Sequence, residues 1–132
     1  MHDTHHPIAG SLSYEDQRNE AARRARLFRQ ERLPKFLSYF ERTLECNAAG
    51  AERARVRADV THVDLAAFQV LAGMAYAFPN ACARLAPEIP RLRALRDSVA
   101  ARPRIAACLA SERRLPFNES GISRHYQELD PE

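Results

Sequence analysis

The chain has 132 residues, 45% of them hydrophobic and 28% charged. That is the balance of a globular chain long enough to bury a core, and it excludes the disordered class. The net charge of +3 comes from 19 Arg and one Lys set against 17 acidic residues. The cations are spread along the chain between Glu and Asp, so they form no stripe of the kind nucleic acid requires, and no nucleic-acid partner is expected. No apolar run reaches the roughly 18 residues of a membrane span, and the N-terminus lacks an apolar signal core, so a cytoplasmic chain is expected.

Four glycines, few β-branched residues and a shortage of hairpin-turn pairs predict an all-α fold, a bundle of about five helices in a single domain. The opening MHDTHHPIAG reads as the last turns of a helix interrupted at Pro7, with Ile8, Ala9 and Leu12 apolar. No helix-start signal precedes His2, so the chain is expected to begin partway through an element. His2, Asp3, His5 and His6 are metal-binding side-chain types, and His2 and His6 share a helix face. Three such local donors with no second layer of support rarely hold a metal, so no metal site is expected. The histidines read instead as a face that lies against another domain.

A long helix is predicted from Arg18 to Asn47, with Leu33, Phe36, Leu37, Phe40 and Leu44 as one apolar stripe. Pro34 lacks an N–H and crowds the carbonyl of Gln30, which predicts a kink. Gly50 is a helix stop, and Ala51 to Val60 reads as a charged surface linker. In THVDL, Thr61 and Asp64 have the spacing of an N-terminal capping box, in which hydroxyl and carboxylate satisfy each other's backbone N–H. Leu65, Phe68, Leu71, Ala75 and Phe78 follow at helical spacing with small apolar residues between them. A helix apolar on all sides is expected to be central and buried, and to stop at Pro79.

Ile89, Leu92, Leu95 and Val99 predict a third helix from Ile89 to Arg102, and Pro103 opens a short one through Glu112 with Ile105, Cys108 and Leu109 inward. The tail, residues 113–132, lacks a period; it docks through Leu115, Phe117, Ile122 and Tyr126 or lies loose. Cys46, Cys82 and Cys108 are odd in number without a C-x-x-C, as expected for buried or half-buried thiols in a reducing cytosol. No motif pairs Ser, Cys or His for nucleophilic attack, and no glycine-rich phosphate loop occurs, so no catalytic residue is assigned.

The stretches RLPKFLSYFERTL, THVDLAAFQVLAGMAYAFP and RLRALRDSVAARPRIAACLASERRLPFNESGISRHYQELD resemble the C-terminal helical domain of cytosolic glutathione transferases, nearest to sigma-type or related bacterial and fungal forms. HDTHHPIA resembles the helix with which that domain starts, and Thr61 and Asp64 match its capping box. The thioredoxin-like domain that binds glutathione in the family has no counterpart here, AERARVRADV lacks the usual apolar-Gly stretch, and Ser123 replaces a customary aromatic. The resemblance implies a parent activity of adding glutathione to electrophiles. Glutathione would then be a co-substrate and no cofactor is needed. It further implies that Ile8, Leu12, Met74 and Phe117 contact the substrate, and that Asp3 reaches glutathione bound by the partner subunit. Taken from spacing alone, Met74 and Phe117 read first as plain core packing. The implied partners are a second copy or an upstream thioredoxin-like domain, and the chain by itself is expected to be inactive. A stand-alone helical interaction module is the alternative.

Overall fold

The computed structural model describes residues 2–47 and 59–132. Among them the regular structure is helical: α1 (His2–His5), α2 (Arg18–Leu27), α3 (Leu33–Cys46), α4 (His62–Ala77), α5 (Pro79–Leu85), α6 (Pro90–Ala100) and α7 (Pro103–Leu109). Single 3₁₀ turns lie at Glu15–Gln17, Ala86–Glu88 and Gln127–Leu129. The all-α expectation holds. Gly50 and most of the linker expected from Ala51 to Val60 lie outside the described residues.

The long helix predicted from Arg18 continues to Cys46, but it changes pitch on the way. Phe28–Arg32 is a π-helix, closed by a bond from the N–H of Leu33 to the carbonyl of Phe28. Pro34 explains the change. It has no N–H to offer Gln30 and its ring crowds that carbonyl, and one wide turn opens the space without breaking the rod. The disturbance expected at Pro34 is therefore this wide turn just ahead of it.

The chain divides into two compact units. The first comprises Met1–Phe36, Gly73–Leu85 and Phe117–Glu132. Its buried apolar residues are Tyr14, Ala21, Ala25, Leu33, Ala77, Phe78, Ala81 and Leu129. Ala21 and Ala25 lie one turn apart and fully buried on α2, a smooth seam against which α1 and the Gln127–Leu129 turn pack. Phe28 and Phe78 meet ring to ring at 5.2 Å.

The second unit comprises Leu37–Ala72 and Ala86–Pro116, with Leu37, Leu44, Ile89, Leu92, Leu95 and Val99 buried. The last four are the predicted α6 stripe. Leu95 and Val99 are almost wholly enclosed, and each such side chain contributes about 1.5–3 kcal/mol through removal from water.

Two helix starts share one device. Pro79 and Pro90 each occupy the first helical position, where the missing N–H costs nothing. The next two N–H groups still need acceptors, and Ile89 ahead of α6 has no side chain to supply one. In α6 the carboxylate of Glu41 receives both, from Arg91 at 2.8 Å and Leu92 at 2.9 Å. In α5 Asp130 does the same for Asn80 at 2.7 Å and Ala81 at 3.2 Å, while the Asn80 amide donates to the Asp130 carbonyl at 2.7 Å. Helix dipoles favour negative charge at these positions.

Several expectations need correction. Pro79, expected only to stop a helix, also begins α5. α4 is buried only in part: Val63, Leu65 and Val70 are exposed, whereas Asp64, Gly73 and Ala77 are buried and Phe68, Leu71 and Met74 half-buried. On α3, Phe36 and Phe40 lie in solvent beside Tyr39, whereas Leu33, Leu37 and Leu44 are buried. The stripe is wider than the face that is covered. Cys46 and Cys108 are exposed rather than buried or inward, while Cys82 is half-buried. The tail is docked, but Leu115 and Ile122 point outward.

Candidate functional site

Gln17 organises the N-terminal loop of the first unit, and it is almost completely buried. Its Oε1 accepts from the N–H groups of Ile8 at 3.0 Å and Ala9 at 3.4 Å. Its Nε2 faces the carbonyls of Ala9 at 3.0 Å, Leu12 at 3.3 Å and Ser13 at 3.2 Å. One amide thus satisfies a loop that has no ladder of its own, as buried backbone groups require. Ser13 and Asp16 add a reciprocal exchange: the carboxylate accepts from the N–H and hydroxyl of Ser13, and Ser13 Oγ accepts the N–H of Asp16. Held in this way, Ile8 and Leu12 present their side chains to solvent.

His5 is buried to 1% exposure and His6 to 9%. The His5 Nε2 lies 3.1 Å from the carbonyl of Ile122, which can only accept, so that nitrogen carries the proton. Burial is the main reason the His5 pKa falls to about 4, and Arg124, His6 and His2 add to the effect. The ring is therefore neutral at physiological pH and its Nδ1 is an acceptor. His6 Nδ1, 2.6 Å away, must be the donor. Desolvation and then the charge of Arg124 lower the His6 pKa as well. His2 stacks on His6 with centroids 5.1 Å apart and meets His5 edge-on at 5.2 Å. Among the described residues no group of three or more His, Cys, Asp or Glu is arranged to hold a metal ion.

The strap Phe117–Glu132 meets this segment from the other side. Tyr126 stacks on Tyr14 at 3.8 Å and tilts toward His5 at 6.1 Å. The Tyr14 hydroxyl donates to Glu128 at 3.0 Å, and burial followed by that bond pushes its pKa above the ordinary tyrosine value. Glu128 is held below the usual carboxylate range by its own backbone N–H, then by Tyr14 and Arg18. Tyr14 is thus an un-ionised structural donor, unsuited to accept a proton. The imidazole of His125 lies 3.3 Å from the carbonyl of Ala77 and donates to it.

Ile8 and Leu12 sit on the loop held by Gln17. Met74 is half-buried on α4, and Phe117 stacks at 4.9 Å on Tyr76 of the same helix. Asp3 is exposed on α1, 4.0 Å from Arg24 of α2. At the head of α4, Asp64 Oδ2 accepts from the N–H of Thr61 at 2.7 Å and from its hydroxyl at 2.8 Å.

Sequence reasoning missed Gln17, Glu41, Tyr14, Glu128 and Asp130. Only Ser13 with Asp16 carried a local signal, the same S/T-x-x-D spacing that marked Thr61. Residues 2–112 match the family described as "Glutathione S-transferase, C-terminal domain". No curated protein matches the chain.

Proposed function

The chain belongs to the glutathione S-transferase C-terminal domain family, and from that premise we propose that it forms the apolar substrate wall of a glutathione-conjugating enzyme. The observation that carries this reading is the N-terminal loop. Gln17 fixes its backbone while Ile8 and Leu12 stand exposed, two apolar side chains held toward solvent on an ordered loop. In this reading Ile8, Leu12, Met74 and Phe117, all in the first unit, contact the electrophile. Asp3 reaches glutathione held by the partner subunit. Thiolate formation belongs to a thioredoxin-like domain, and a reducing cytosol suits the exposed thiols of Cys46 and Cys108.

Titrating the purified chain with 1-chloro-2,4-dinitrobenzene and following its methyl resonances tests the wall. Shifts are expected at Ile8, Leu12 and Met74, and shifts confined to α6 and α7 would refute the assignment. With glutathione added, the chain alone is expected to show no conjugation above the uncatalysed rate.

A second reading, an interaction module, draws on α3, where Phe36, Tyr39 and Phe40 form an exposed aromatic face with Arg32 over the Phe36 ring at 5.5 Å. A second copy of the chain is the occupant in this reading. Sedimentation separates the outcomes: a dimer broken by Phe40→Glu supports it, and a monomer at high concentration removes it.

A further inference from the structure

We propose that the strap Phe117–Glu132 and α5 open and close as one unit, so that α5 is a helix only while the strap is docked. The dependence of α5 on the strap begins at its first turn. α5 has seven residues, well below the roughly 12–15 at which a helix holds by itself in water. Phe78, just ahead of Pro79, has no side-chain acceptor, and its carbonyl takes the N–H of Cys82 at 3.0 Å. The N–H groups of Asn80 and Ala81 therefore rest on the carboxylate of Asp130, which belongs to the strap. α6 differs, because its acceptor, Glu41, is built into the long helix α3.

The dependence of the strap on α5 comes from its two anchors. The Asp130 side chain is fully buried, and its charge is met by the two α5 N–H groups and by Arg29 at 3.9 Å, whose own Nε is buried without a hydrogen bond. The Asp130 carbonyl also accepts from the Asn80 amide. Tyr126, stacked on Tyr14 at 3.8 Å, is the second anchor, and the Tyr14 hydroxyl reaches Glu128 beside it. Between the anchors lies only the 3₁₀ turn Gln127–Leu129, closed by bonds from the Leu129 N–H to Tyr126 and from the Asp130 N–H to Gln127. A link so short and so bonded does not leave one anchor seated while the other lifts. Lifting Tyr126 withdraws Asp130 and uncaps α5. Unwinding α5 leaves the Asp130 carboxylate buried without its donors, a cost that drives it out to water. The strap is thus a switch whose closure builds a helix, and a partner that takes hold of it unmakes that helix.

Hydrogen exchange on the full chain at constant pH tests the coupling. The strap reporter is the amide of Leu129, the α5 reporter is that of Cys82, and the reference is that of Arg93 in α6, bonded to Ile89. Tyr126→Ala removes an anchor that bears on Tyr14 and His5 rather than on α5. Loss of the aromatic contact is expected to lower the protection of Leu129 and Cys82 by the same factor, about 10-fold, with Arg93 unchanged. Tyr126→Phe keeps the stacked ring and should leave all three amides as in the natural chain. A fall at Leu129 with none at Cys82 would overturn the proposal, and so would no fall at either. If Tyr126→Ala does not fold, Asp130→Ala reads the coupling from the other end. Loss of Cys82 protection together with the ring-current shifts of the Tyr14–Tyr126 stack supports the single unit; a stack that survives, or a Cys82 amide that stays protected, refutes it.

Discussion

Glu41 and Asp130 each place two carboxylate oxygens on the second and third N–H of a proline-led helix. Removing the charge leaves a donor where an acceptor is needed, inside the protein, and an unmet buried group costs roughly 1–3 kcal/mol. Glu41→Gln is therefore expected to lower the unfolding free energy measured by urea titration by that much. Glu45→Gln, exposed on the same helix, should change stability by less than about 0.5 kcal/mol. At the head of α4, Thr61→Ala removes a hydroxyl that donates to Asp64. A loss of about 0.5–2 kcal/mol is expected in thermal melting, and an unchanged midpoint would deny Thr61 any capping role. Little of this was legible beforehand. Thr61 and Asp64 announced themselves by spacing, but Glu41 and Asp130 act on residues some 50 positions away. No local pattern records such a pairing, and the partner of His5, 117 residues distant, left no trace at all.

At the scale of elements, the π-helix Phe28–Arg32 shows how a long helix tolerates an internal proline. A proline strained inside a regular helix costs about 3 kcal/mol, so its removal should return a similar amount. Here the wide turn has already relieved the conflict. Pro34→Ala is expected to gain less than about 1 kcal/mol in urea unfolding, and a full recovery would show that strain persists. The same helix shows the reach of periodicity. The apolar spacing of Leu33, Phe36, Leu37, Phe40 and Leu44 identified a helix correctly, yet Phe36 and Phe40 are in water. Spacing reports which side of a helix is apolar and says nothing of what lies against it. For α6 the two coincide, since Ile89, Leu92, Leu95 and Val99 are all buried. For α5 the pattern tells half the story: Pro79 marks the end of α4, as its position predicts, and also begins the next helix.

At the scale of the whole molecule, the shifted groups define a pH window. His5 and His6 have lowered values, so the unfolded chain binds more protons than the folded one once pH drops below the ordinary 6.5. Stability is complete above that point and declines toward about pH 4. Glu128, also lowered, takes the decline further below the ordinary 4.5. Tyr14 is raised, so the folded chain retains a proton that the unfolded chain sheds above the ordinary 10.0, and stability falls there too. Thermal midpoints are expected to be level between about pH 6.5 and 10 and to fall on both sides; a maximum near pH 5 would contradict the burial of the histidine pair. The remote carboxylates also bear on the order of assembly as the chain leaves the ribosome. Glu41 has emerged before α6 exists, so that helix meets its acceptor as soon as it is made. α5 has the opposite schedule: Asp130 is synthesised 50 residues after Asn80. Its first turn must wait, half-satisfied by water, until the strap arrives, which makes α5 the late step of vectorial folding.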